Sequence, residues 1–581
     1  MKHLYICLSL FFCLSLVACG KNKSSEPTVS ILPQKTEMEQ HYPDFEESIV
    51  SDYLKHTLSD TTHVEFFYKE NQYPVLWVKD IYNDSRLDTL LSCISLSTEH
   101  GLKPELFGWS EMESLRDSLK NNSYQEKELI YQSFSRLEYL CSKAYIDYVT
   151  GMRYGFTNPK ELFPDDYFIK VALPDSVYYA DLYASLKEKP IDFLQASQPS
   201  GEYYLKLQSL LKEYAALSDS SFVEVPFKKG KKSLVLNQSD TILPHIARRL
   251  MITGELPRTE YADSLYSTLT EDLLAAINLF RVHNSYPEAN ELGEGTITSL
   301  NRPFSYYYKT IQANLERARW QTASHDKSIR VNVAAFILQA IEPNREPVKM
   351  NVCVGIARTN QTPLLESEIS YMNLNPNWNV PKSIIEKEIY LHVLKDSTYL
   401  SKNRMKVLTN SGAEVDPSTI DWKSLNAARI PYLIRQEPGN ANSLGRIKFM
   451  FNNPFSVYLH DTPAKSRFLA KNRAVSHGCV RVQNPMDLAF FCLAEKDSLH
   501  FDRIRYSIDL SPLSEAGKKA LKQGNLKKVN DIVSLNEKVP VIIDYATVYL
   551  LASDKKLYFA DDVYSFDSKI LDALTSSHTF P

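Results

Sequence analysis

Hydrophobic and polar positions along the chain fall into three regimes. The first is an apolar run, Leu4 to Val17, behind Lys2 and His3. Its 14 residues suit a signal-peptide core and fall short of the roughly 20 that a membrane-spanning helix needs. A polar stretch from Lys21 to Tyr42 with Pro27 and Pro33 follows, so residues 1–18 are expected to be a signal peptide and 19–43 a tether. The second regime, from about Asp44 to Leu217, repeats at helical spacing. In one stripe Ile130, Phe134, Leu137, Cys141, Ala144 and Tyr148 alternate steps of four and three, with Ser123 and Glu126 patterned as a capping box and Gly151 as the stop. Residues 44–225 are expected to form a helical scaffold. Residues 240–301 then carry three short helical patterns: Ile246 and Leu250; Leu265, Leu269, Leu273, Ile277 and Phe280; and Ile297 and Leu300 behind Gly293-Glu294-Gly295-Thr296. A small three-helix bundle is expected there.

After a further helical pattern from Tyr306 to Trp320 the period shortens. Ile329–Ile341, Val348–Ile356, Glu368–Leu374, Arg446–Phe451 and Ser456–His460 are short, β-branched or aromatic, and bounded by Pro, Asn and Gly, which is strand and turn chemistry. A mainly β domain is expected over 326–513, interrupted by a Lys-, Glu- and Ser-rich insertion at about 382–435 that reads as a lid. Residues 514–581 read as a C-terminal extension with a hairpin from Val539–Leu551 and Leu557–Tyr564. The fold class is multidomain α+β, and 581 residues suit roughly four domains at about 150 residues each.

With 44% hydrophobic residues the chain is not disordered, and 66 Lys and Arg against 70 Asp and Glu give no reason to expect nucleic acid. Outside the leader and Cys19 stand Cys93, Cys141, Cys353, Cys479 and Cys492, an odd set without CxxC spacing, so neither a disulfide framework nor a zinc site is indicated. Four of them lie in apolar stripes and read as core residues. Cys479 does not.

Cys479 belongs to the dense stretch His460 to Asn484, HDTPAKSRFLAKNRAVSHGCVRVQN. If Ser476–Val482 runs extended, His477, Cys479 and Arg481 share one face while Val480 and Val482 point to the core. Cations beside a thiol favour the thiolate, and Gly478 would allow close approach of backbone. A thiol nucleophile needs a base. His460 is favoured over His477, because a residue from a neighbouring strand can aim across the cleft at the sulfur. No third ligand at a conventional spacing makes a metal site, and no cofactor is expected.

These residues resemble the YkuD-type L,D-transpeptidase motif, a His followed after about fifteen residues by Ser/Thr-His-Gly-Cys with Arg and Asn beyond. Here 15 residues separate His460 from Ser476, and Ser476, His477, Gly478, Cys479, Arg481 and Asn484 match. The resemblance implies Cys479 as nucleophile, His460 as base steadied by the Asp461 carbonyl, and His477 and Arg481 as supporting or substrate-binding groups. Asn373–Pro381, Ser443–Arg446, Val539–Val541, Phe67-Tyr68 to Trp77 and His100-Gly101-Leu102 are similar to the large periplasmic members with a scaffold and a lid. Phe280, His283, Gly293, Gly295, Thr296 and Leu300-Asn301 resemble a type 1 peptidoglycan-binding domain, with Asn284 where a Gly is usual. Leu16-Val17-Ala18-Cys19 resembles a lipobox, implying lipidation of Cys19. The implied function is 3-3 cross-linking of peptidoglycan through a Cys thioester. Alternatives are an L,D-carboxypeptidase or exchange enzyme at the same site, a non-catalytic wall-binding lipoprotein, and papain-like proteolysis, which is disfavoured because Val480-Arg481-Val482 continues as strand. The partners expected are stem peptides, glycan, a membrane reached through the anchor, and candidate cell-wall enzymes. The location expected is the periplasm.

Overall fold

The computed structural model describes residues 35–575 except 59–61, 218–221, 228, 229, 231, 321, 323, 324 and 494–496, and omits the side chains of 262 and 263. The expectations for the leader and Cys19 lie outside the described residues. Among the described residues no helix is long and apolar enough to cross a membrane.

The scaffold is built on the helix Lys127–Tyr154, whose Phe134, Leu137, Cys141 and Tyr145 are fully buried. This is the stripe read from the sequence, but its ends differ. Glu126 makes no side-chain cap, and the helix runs through Gly151 to a cap at Gly155. Gly151 leaves room for the Phe156 ring, which a Cβ there would meet at 2.3 Å. Across the helix, Glu138 accepts the backbone N–H groups of Leu76, Trp77 and Val78 at 2.8, 2.8 and 3.2 Å and the Tyr68 hydroxyl at 2.9 Å. A second correction concerns the tether. Glu37–His41 is a helix with a Thr36–Glu39 capping box, and Met38 and Tyr42 bury themselves in the scaffold core, where an apolar pair is better placed than in water.

The bundle has its three main helices at Leu243–Thr253, Glu271–His283 and Glu294–Leu300 around Ile246, Leu250, Leu273, Ile277, Phe280 and Leu300. Leu265 departs from the expected stripe. It lies exposed in a separate short turn, because Thr270 caps the second helix and starts it later. Asn284 is buried and bonds Phe280 O and the Tyr307 hydroxyl, tying the bundle to the helix Phe304–Arg319. That helix is a strut. Its Arg319 reaches Glu316, Tyr204 and the His100 carbonyl, while Arg317 pairs with Asp567 at 2.6 Å.

In the β domain the strands run, neighbour to neighbour, Leu364–Leu374, Ile447–Phe451, Leu459–His460, Val480–Val482, Val348–Gly355, Ile337–Ile341, Ser328–Asn332 and Ile532–Asp544. The last strand also pairs with Leu364–Leu374, so the sheet closes on itself around a core that includes Val331, Val352, Leu459, Val480 and Val541. This corrects the reading of 514–581 as an extension: Ile532–Asp544 is an integral strand, and the terminal hairpin is shorter, Val548–Leu550 with Leu557–Phe559. Val539, Val541 and Ile543 point inward at alternate positions, and Ile542 between them is buried too, so this end of the strand is covered on both faces. The expected lid is a folded subdomain. It has a core of Ile385, Leu400, Val407 and Ile434 and a four-stranded sheet that reaches past the expected 382–435 bounds, since Trp378–Asn379 supplies one strand and Leu433–Gln436 another.

Candidate active site

The Ser476–Val482 segment is not one straight strand. Ala474–Ser476 pairs parallel with Val348–Gly355, Val480–Val482 pairs antiparallel with it, and the chain turns at His477-Gly478-Cys479. His477, Cys479 and Arg481 therefore do not share a single strand face. Gly478 is at φ +113°, a backbone conformation that favours glycine, and a Cβ there would meet no protein atom closer than 3.8 Å, so within the protein it is the turn that calls for the glycine. Buried Ser476 pins the turn from inside, donating to the Cys479 carbonyl at 2.6 Å and accepting the Gly478 N–H at 3.2 Å. Thr362 pins it from outside, bonding the Gly478 carbonyl at 2.8 Å while accepting Gly355 N–H at 2.8 Å. Tyr564, from the carboxy-terminal region, holds Thr362 N and Gly355 O.

The strand that carries the proposed base lies directly alongside. Leu459 pairs with Val480 and His460 with Arg481. The strand is only Leu459–His460, because Ser456 has a positive φ of 55° and Asn453 caps the turn before it. The Cys479 thiol donates to the Ser456 carbonyl at 3.9 Å. His460 is buried, and its Nδ1 meets the Asp461 carbonyl at 2.5 Å. This bond requires Nδ1 to be the protonated nitrogen, which leaves Nε2 as the basic one. The Asp461 carboxylate is engaged elsewhere, by Arg446 N–H at 2.9 Å and Lys465 at 2.7 Å.

Burial, then Arg481, pushes the His460 pKa down to about 3. Burial raises the Cys479 thiol, opposed by hydrogen bonds from Tyr458 and by the charges of Lys448 and Arg481. The resting pair is thus a thiol and a neutral imidazole, with cations placed to receive negative charge on sulfur. Arg481 is half-buried beside Cys353, and its Nε is enclosed there without a hydrogen-bond partner. His477 stands exposed at the mouth with its Nε2 2.5 Å from Glu388 of the lid. Asn484 is exposed ahead of the helix Pro485–Cys492, and its side chain makes no hydrogen bond among the described residues.

Sequence reasoning missed Lys448, Tyr458, Thr362, Tyr564 and Glu388. Lys448 pairs with His460 across the sheet and sits 3.8 Å over the Tyr458 ring, which itself packs edge-on to His460 at 5.6 Å. A half-buried Lys between the buried Ile447 and Phe449 was the available signal.

Residues 326–505 match the L,D-transpeptidase catalytic domain and residues 62–211 match the Scaffold domain. A Haemophilus influenzae protein named "Putative L,D-transpeptidase" is 30% identical over 332 residues, covering 54% of this chain and 67% of its own. A crystal structure of an L,D-transpeptidase from Xylanimonas cellulosilytica aligns with 55% of this chain and 100% of its own at 11% identity, with a TM-score of 0.15, an overlap too loose to bear on the fold. The domain pair and the curated relative place the chain in the L,D-transpeptidase family, enzymes of the acyltransferase kind.

Proposed function

We propose that this protein forms 3-3 cross-links in peptidoglycan through a thioester on Cys479. The observation that carries the reading is a thiol on a pinned turn, flanked by a strand whose histidine presents its basic nitrogen free of the Asp461 carbonyl. In the acylation step His460 Nε2 takes the thiol proton as sulfur adds to the carbonyl of the third stem residue. The C–S bond forms, the C–N bond to the terminal D-Ala breaks, and the proton passes to the departing amine. Arg481, Lys448 and Tyr458 favour the charge that develops. A side-chain amine of a second stem then replaces sulfur.

Incubation of the purified protein with a tetrapeptide-stem muropeptide, followed by mass spectrometry, tests this. Dimers joined 3-3 support the reading; trimmed tripeptides alone identify an L,D-carboxypeptidase. The same reading places the enzyme in the periplasm on a lipid at Cys19, with the bundle holding glycan or stem peptide. Cys19→Ala should release soluble periplasmic protein, and retention on membranes through a high-salt wash would refute the anchor.

A further inference from the structure

The lid reaches the mouth of the site through one charged side chain. Lys382–Lys395 begins as α-helix, passes through a π-helical turn at Ile385–Ile389, and resumes at Tyr390. A π turn inserts an extra residue and re-aims the side chains on it, and such turns recur at functional positions. Ile385 and Ile389 of this turn are buried in the lid core, while Glu388 is left outside, where it meets His477 of the catalytic turn.

The charge around the thiol makes that carboxylate significant. Lys448 and Arg481 both act on Cys479. Such surroundings suit a thiolate, a carbonyl oxygen and a stem carboxylate. They repel the other substrate, because an aliphatic side-chain amine arrives as an ammonium at neutral pH. The Asp461 carboxylate is already committed to Arg446 N–H and Lys465. Glu388 is not so committed. Its side chain is 47% exposed, Oε1 meets His477, and Oε2 has no hydrogen-bond partner among the described residues.

Resting on the transpeptidase reading, we infer that Glu388 is the acceptor-recognition residue: it receives the ammonium of the incoming stem at the lid side of the cleft. The acceptor docks as R–NH3+ against Glu388 and gives up one proton to bulk water. The free amine adds to the thioester carbon, so the C–N bond forms and the C–S bond breaks. The surplus proton on nitrogen passes to His460 and from it to the Cys479 sulfur, restoring thiol and neutral imidazole. Water needs no such partner, so the lid carboxylate favours amine transfer over hydrolysis.

The test uses the full chain, the tetrapeptide-stem muropeptide as donor, and two acceptor probes: Nα-acetyl-lysine, cationic at neutral pH, and methoxyamine, uncharged there. Products are the lysine amide, the methoxyamide and the hydrolysed tripeptide, resolved by mass spectrometry. Glu388→Gln should lower transfer to Nα-acetyl-lysine by roughly tenfold relative to methoxyamine, with Glu388→Asp recovering part of it. An unchanged ratio between the two acceptors in Glu388→Gln overturns the inference, and so does an equal loss for both, which would mean a damaged turn. If the wild-type protein forms no thioester at all, the transpeptidase reading fails first, and the two failures are told apart by intact mass.

Discussion

His460 is held in a state that an exposed histidine would not keep. Its pKa falls from the ordinary 6.5 to about 3 through burial and the Arg481 charge, so the neutral, proton-accepting form persists far into acid. Acylation by a small β-lactam, which needs no amine acceptor, should therefore stay level as pH falls through 6.5. Arg481→Gln removes a cation that disfavours protonation, so the acid limb should move to higher pH. A wild-type limb centred near 6.5 would contradict the assignment. Thr362→Val should strand the Gly478 carbonyl and Gly355 N–H, costing about 1–3 kcal/mol in thermal unfolding and slowing acylation. The motif residues were legible because they sit close together in sequence and carry unlike chemistries. Lys448, Thr362 and Tyr564 were not, since each is brought in by strand pairing or hydrogen bonds between residues 12 to 209 apart in the chain.

Among the elements, periodicity served the helices better than the strands. The Lys127–Tyr154 stripe announces itself because every third or fourth residue meets the same core. Its ends were misplaced because Gly151 answers to a tertiary contact, Phe156, and not to local stop chemistry. The catalytic strand was misread for a related reason: alternation describes straight strands, and Gly478 bends this one. Glu138 in the same long helix organises the 76–78 backbone, so Glu138→Gln, which turns an acceptor toward those donors into an N–H group, should destabilise the scaffold by about 3 kcal/mol. Chemical denaturation checks this. A loss under about 0.5 kcal/mol, the range of neutral surface changes, would show the network to be dispensable.

At the scale of the whole molecule, bundle, catalytic loop and carboxy-terminal hairpin meet at one carboxylate. Asp561 accepts the Tyr286 hydroxyl at 2.6 Å and pairs with Arg302 at 2.7 Å, and Lys471 lies 3.9 Å from it and 3.7 Å over the Tyr286 ring. Lys471 belongs to the loop between His460 and Cys479, so the bundle is braced against the segment that joins these two residues. Asp561→Asn should raise hydrogen exchange across 463–473, and unchanged exchange would show that the brace carries no load. None of this convergence was legible in the chain, because its members come from four separated segments. The central claim is tested most directly by intact-mass analysis of the protein quenched in acid during reaction with a tetrapeptide-stem muropeptide. Wild-type protein should carry the stem less its terminal D-Ala, as a hydroxylamine-labile adduct that is absent from Cys479→Ala; the same adduct on that variant would contradict the account.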